Sequence, residues 1–170
     1  MSLSLYDTTI GSSTKALTAL LSLLKKAQEH PEAATIPETR IHEDMLPFKF
    51  QVLTVSNFAK KAVERLAGRE LEAWADEEST LEELIARVEK TLALLATVKP
   101  EDLQEKEQAI HWGKQLLGTC STSQYALDYM LPNMYFHLTT AYDILRMKGL
   151  TIGKKDYIKP FVGGFLALSD

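Results

Sequence analysis

The sequence predicts an all-α fold: an up-down antiparallel four-helix bundle with a small β-hairpin or irregular insertion before the last helix. Three observations carry that expectation. Long stretches place apolar residues at helical spacing, Pro and Gly punctuate their ends, and one short segment, residues 108–120, breaks the helical pattern. At 170 residues the chain suits one domain with a substantial core, so residues 1–170 are expected to form a single unit.

The first helix is expected over residues 5–29, where Leu5, Ile10, Leu17, Leu20, Leu21, Leu24 and Ala27 share a stripe that Pro31 ends. Residues 30–43 hold two prolines among small and polar side chains and read as a connection, with one helical turn at 37–41 and a candidate rim for a site. The second helix begins around Leu46-Pro47, carries Val52, Val55, Phe58, Ala59, Ala62, Val63 and Leu66, and stops at Gly68. The third has a start signal in Ser79-Thr80-Leu81-Glu82, read as a capping box in which hydroxyl and carboxylate satisfy free backbone N–H groups. It runs through Leu84, Ile85, Val88, Leu92 and Leu95 to about residue 98, and a short acidic turn over 100–106 follows. Residues 108–120 read as a hairpin turning at Gly113-Lys114, the alternative being a continuous helix. The fourth helix spans about 123–148 and is closed by Gly149. Pro132 inside it must kink or split it, because proline removes a backbone donor and crowds the preceding turn.

An internal similarity runs through the chain. Met45-Leu46-Pro47 recurs as Met130-Leu131-Pro132, Leu53-Thr54 matches Leu138-Thr139 at the same offset, and Phe50 stands opposite Tyr135. Two related helical hairpins account for it, and so does chance likeness between two apolar helices.

Composition narrows the function classes. Lys and Arg number 19 against 23 Asp and Glu, a net charge of −4 with no basic block, which argues against nucleic-acid and anionic-membrane partners. The acidic run over residues 70–83 reads as a solvated face. A single Cys excludes an intramolecular disulfide and any Cys-cluster metal site. The first residues lack a basic leader and an apolar core, and the longest apolar stretches fall short of the roughly 20 residues a membrane span needs. A cytoplasmic, non-membrane protein is expected.

The segment Leu131-Pro-Asn-Met-Tyr-Phe-His-Leu-Thr-Thr-Ala-Tyr-Asp-Ile-Leu-Arg146, followed by Gly149-Leu-Thr-Ile-Gly-Lys-Lys-Asp-Tyr157, resembles the C-terminal signature of an uncharacterised domain-of-unknown-function family in the DinB/YfiT-like helical-bundle superfamily. Leu5-Tyr-Asp-Thr-Thr-Ile10 and Asp44-Met-Leu-Pro-Phe-Lys-Phe-Gln-Val52 resemble it too. The resemblance covers about residues 3–160, leaving 161–170 as a C-terminal tail. It implies an up-down four-helix bundle, often a homodimer. Characterised members of that superfamily, thiol-dependent transferases and a maleylpyruvate isomerase among them, hold a divalent metal with one His of the second helix and two His spaced by four on the last. Here His137 is followed four residues later by Ala141, and the second helix has no His. His30, His42 and His111 lie in a connection and the hairpin, so no metal and no other cofactor is expected.

The remaining candidates are polar residues on apolar faces. Asn133 and His137 stack on one face of the fourth helix, and Gln51 sits among Phe48, Phe50, Val52 and Val55 on the second, where a core-facing amide needs partners. Where those faces meet, Asp44, Gln51, Asn133 and His137 form a polar cluster walled by Phe48, Tyr125, Tyr135 and Trp74, suited to a flat or apolar small molecule. In the enzymatic reading His137 carries the proton, Asp44 orients it and Gln51 or Asn133 holds a carbonyl or hydroxyl, as in a metal-independent isomerase, lyase or cyclase. The competing class is a non-catalytic ligand-binding or dimerisation module. A third reading keeps the superfamily's metal-dependent thiol transferase or isomerase chemistry.

Overall fold

The computed structural model describes residues 4–112 and 115–166, without the side chains of His111, Trp112 and Leu116. Helix α1 opens with a π turn at Asp7–Gly11 and continues as Ser12–Gln28. A 3-10 segment at Ala33–Glu38 follows, a few residues earlier than the expected turn. Helix α2 is Phe48–Leu66 and α3 is Leu81–Leu95, with a 3-10 turn at Pro100–Asp102 after it. Strands β1, Gln108–Trp112, and β2, Gln115–Cys120, pair antiparallel with a bulge between Ile110 and His111. The hairpin is therefore the alternative realised, while its expected turn at Gly113-Lys114 lies outside the described residues. Helix α4 is continuous from Thr122–Gln124 through a π segment, Tyr125–Met130, into Leu131–Met147.

A fifth helix, α5 at Lys154–Val162, completes the fold. The sequence reading did not include it. The helix starts where the Asp156 carboxylate accepts the Gly153 N–H at 2.7 Å, and it docks on α1 through an ion pair between Lys26 and Asp156.

Side-chain pairings give the helix directions. Phe50 meets His137 and Phe58 meets Tyr129, so α2 and α4 run antiparallel. Ser56 meets Arg87 while Arg69, further along, meets Thr97, so α2 and α3 run in the same direction. Residues 67–80 are accordingly a crossover that carries the chain back along the bundle. The core between the helices is formed by Leu17, Leu20, Leu24, Phe48, Val52, Val63, Leu84, Val88, Met134, Leu138 and Ile144, all fully buried. Among the described residues no helix is long and apolar enough to cross a membrane.

Pro132 does not split α4. The helix widens into the π segment directly before it, which relieves the crowding the ring imposes on the preceding turn. The helix ends at Gly149, whose φ of +88° belongs to the left-handed region that a C′ glycine supplies at least cost. The two Met-Leu-Pro tripeptides play different local parts: Pro47 is the extended N-cap of α2, whereas Pro132 lies inside α4.

Candidate functional site

The site grows from the start of α2. Gln51 is buried one turn after Pro47, and its Nε2 donates to the Leu46 carbonyl at 2.8 Å. A carbonyl only accepts, so this bond decides which end of the amide faces Leu46. The other end, Oε1, lies 2.7 Å from Nδ1 of His137 on α4. That oxygen can only accept, so Nδ1 carries the proton and Nε2 of the neutral ring keeps its lone pair.

Burial pulls His137 below the ordinary histidine value, because a half-buried ring charges less readily than one in water. Phe50 and Phe136 stand edge-on to the imidazole at centroid distances of 5.9 and 5.2 Å. Both phenyls are open to solvent, Phe136 at 60% and Phe50 at 39%, and Leu46, whose carbonyl holds Gln51, is 48% exposed. The result is an oriented neutral base set in an apolar rim. Sequence reasoning put Gln51 and His137 in one polar cluster and Phe50 beside Gln51, but missed the Leu46 carbonyl and Phe136. The available signal was adjacency, since Phe50 precedes Gln51 and Phe136 precedes His137.

The chain's match to a family profile described as a domain of unknown function, DUF1993, covers residues 5–158. The chain belongs to the DUF1993 family. A solved structure described as a DinB family member protein from Shewanella denitrificans is similar to it, with a TM-score of 0.81, 30% identity and 91% of each chain covered. No curated protein matches the chain.

This DinB-like DUF1993 domain does not assemble the whole cluster expected from its sequence. Asp44 is exposed and its carboxylate pairs with His42 at 2.6 Å, because residues 40–45 fold on themselves through Met45 N–H to the His42 carbonyl and Arg40 to the Met45 carbonyl. Gln51, not Asp44, orients His137. Asn133 donates one amide N–H to the Tyr129 carbonyl at 2.6 Å, on the turn loosened by the π segment, so it is tied to its own helix backbone.

The expected aromatic walls are dispersed. Phe48 is core. Tyr125 is buried under the Arg65 guanidinium, 5.2 Å from its ring, and burial pushes its hydroxyl up to about 12. Tyr135 packs on Phe161 of α5. Trp74 belongs to the 67–80 crossover, where Lys60, Lys90 and Arg87 approach its ring at 5.4, 4.2 and 5.0 Å.

The superfamily's metal does not fit the donors present. Around His137 stand one imidazole nitrogen free to ligate, one amide already engaged at both ends, and the buried methyl of Ala141. Among the described residues no group of three or more His, Cys, Asp or Glu side chains is placed to hold a metal ion. A divalent ion held by three protein ligands has no such set here.

Proposed function

We propose that this DUF1993 domain binds a small apolar or aromatic molecule at His137 and uses Nε2 as hydrogen-bond acceptor and general base. The observation that carries the reading is the relay from the Leu46 carbonyl through Gln51 to Nδ1 of His137, which holds one tautomer of a ring flanked by the exposed Phe50 and Phe136. An N–H, O–H or acidified C–H of the ligand donates to Nε2 while its apolar body lies against Phe50 and Phe136. In the catalytic form the same nitrogen removes that proton and either returns it elsewhere on the molecule, an isomerase reaction, or hands it to a group that departs with its bonding electron pair as the double bond forms, a lyase reaction. The lowered proton affinity keeps the ring in its base form at neutral pH.

The test uses a substrate that needs only a base beside an apolar surface, 5-nitrobenzisoxazole. Nε2 takes the ring C–H proton, that electron pair forms the nitrile, and the N–O bond breaks to release a coloured cyanophenolate. The rate is expected to rise with pH to a plateau with its midpoint below the ordinary histidine value, to vanish in His137→Ala and to fall in Gln51→Leu. A rate unchanged in His137→Ala overturns the reading.

The exposed Leu46, Phe50 and Phe136 favour a second reading, in which this face joins two copies of the chain as a homodimer. Light scattering distinguishes the two: a dimer that Phe136→Glu dissociates supports the second, and a monomer at every concentration removes it.

A further inference from the structure

Strands β1 and β2 bring together two residues that the His137 site does not use. Gln108 and Cys120 stand directly opposite each other in the antiparallel register, so their side chains lie on one face of the hairpin with Cβ atoms roughly 5 Å apart. That face is turned inward: Gln108 is 2% exposed, and Cys120 is half-buried and packs against the hydrophobic core. Among the described residues the Gln108 Nε2 has no hydrogen-bond partner, the Cys120 sulfur included. A buried amide donor ordinarily finds an acceptor, and leaving it unpaired costs stability.

The thiol opposite can be converted into that acceptor. Cys120 also lines a groove of about 330 Å³ bounded by residues 105–107 and 119–122, so small molecules reach it from solvent. Thr122 fixes the shape of this groove, because its Oγ1 accepts the Lys106 N–H at 2.9 Å and donates to the Lys106 carbonyl at 2.7 Å. Arg65 fixes the strand beside Gln108, its Nη1 donating to the Ala109 carbonyl at 2.6 Å. A thiol sulfur is a weak acceptor, whereas an oxygen carried on that sulfur is a good one and lies one bond further out.

We propose that Cys120 is a site of reversible oxidation to a sulfenic acid, with Gln108 holding the new oxygen. The oxidant is hydrogen peroxide. The thiolate sulfur attacks one peroxide oxygen, and the O–O bond breaks with its electron pair going to the other oxygen. That oxygen leaves as hydroxide and takes up the proton the thiol gave up, becoming water. Sulfur loses two electrons and the peroxide gains them. The Gln108 Nε2 then donates to the sulfenic oxygen. The chain has no second Cys to condense with it, so the sulfenic acid persists until a small thiol enters the groove, forms a mixed disulfide at Cys120 and releases water.

The test treats the full chain with hydrogen peroxide, removes the peroxide and adds dimedone after increasing delays, with intact mass spectrometry measuring the adduct. A sulfenic acid is expected in the wild type and none in Cys120→Ser. Gln108→Leu deletes the donor at similar volume and is expected to shorten the lifetime of the sulfenic acid about fivefold, the scale of one hydrogen bond. Alkylation of the reduced thiol by iodoacetamide is expected at the wild-type rate in that variant. A rise in that rate equal to the loss of lifetime overturns the role of the amide, since Gln108 then only covers the sulfur. If Gln108→Leu fails to fold, the comparison is between the wild type folded and unfolded in urea, and a lifetime no longer in the folded chain overturns the proposal. So does a wild type that yields no adduct, or only sulfinic and sulfonic acids, or a lifetime unchanged in Gln108→Leu.

Discussion

Arg87 on α3 is 4% exposed, and the structure occupies every one of its five N–H donors. Nε meets Ser56 Oγ at 3.0 Å, Nη1 meets the Ala75 carbonyl at 2.9 Å and Glu78 at 2.7 Å, and Nη2 meets Asn57 at 2.7 Å and Asp76 at 2.9 Å. These contacts pin the 67–80 crossover to α2 and α3, with Trp74 stacked over the guanidinium. Arg87→Met keeps the stem and deletes the donors. Asp76 is half exposed and turns to water at little cost. Glu78 cannot do so: its side chain is 17% exposed and its second oxygen is already buried without a partner. An ion left buried and unpaired costs about 3–5 kcal/mol. For a chain of this size that lowers the melting temperature by about 10 °C, at about 3 °C per kcal/mol. Thermal unfolding by circular dichroism and urea midpoints measure it. The double variant Arg87→Met/Glu78→Gln is expected to recover at least about 1 kcal/mol, because a neutral amide is cheaper to bury than a carboxylate. A single-variant loss below about 1 kcal/mol, with the double variant additive, would refute the account of a buried, saturated clamp.

Three further outcomes follow from the geometry. His137 has its folded proton affinity lowered by burial, so its share of stability is complete above the ordinary value of 6.5 and is lost as pH falls from there through the lower folded value. Urea midpoints over that interval are expected to slope in the wild type and to flatten in His137→Asn, and equal slopes would remove burial as the cause. Tyr125 carries the opposite sign: with its hydroxyl raised to about 12, its share is complete below 10 and is lost as pH rises from 10 to about 12, which ultraviolet titration against Tyr125→Phe reads directly. At the start of α3, Thr80→Ala is expected to cost about 1 kcal/mol and Ser79→Ala only a few tenths in urea unfolding, and the reverse order contradicts the observed cap.

That last pair shows how local patterns are read and where they slip. Ser79-Thr80 and Glu82-Glu83 are doubled, so the capping motif fits two registers one residue apart. The structure uses the second: Thr80 Oγ1 accepts from Glu83 N–H at 3.2 Å and the Glu83 carboxylate accepts from Thr80 N–H at 3.0 Å. Ser79 adds its own N–H to the same carboxylate at 2.8 Å. In this register Leu81, Leu84 and Val88 lie in the core. Helix α5 escaped the sequence reading for a related reason. Its nine residues include Pro160 and few core side chains, and it is held by contacts made elsewhere, the Lys26–Asp156 pair and the stacking of Tyr157 on Phe161 against Tyr135.

The candidate site divides along the same line. Gln51 and His137 were legible because each is a polar residue in an apolar helical stretch, and such residues must find partners. Asp44, Asn133, Tyr125, Tyr135 and Trp74 were assigned to the same pocket by chemistry alone, and the fold gave each a different neighbour. Arg87 carried a signal too, an arginine between Leu84 and Thr91 on the inward face of α3, but its five acceptors come from residues 56–57 and 75–78.

The sequence by itself determined the four long helices and their inward faces, because periodicity, proline, glycine and hydroxyl caps act within a few residues. It also showed a single imidazole, His137, on the helix where the superfamily's pattern has two. Tertiary structure alone decided that α2 and α3 run the same way, that Gln51 and not Asp44 holds His137, and that Trp74 stacks on Arg87 instead of joining Gln51 and His137. These outcomes depend on which helix faces meet across many residues of chain, and a side chain's partner is set by that meeting rather than by its neighbours in sequence.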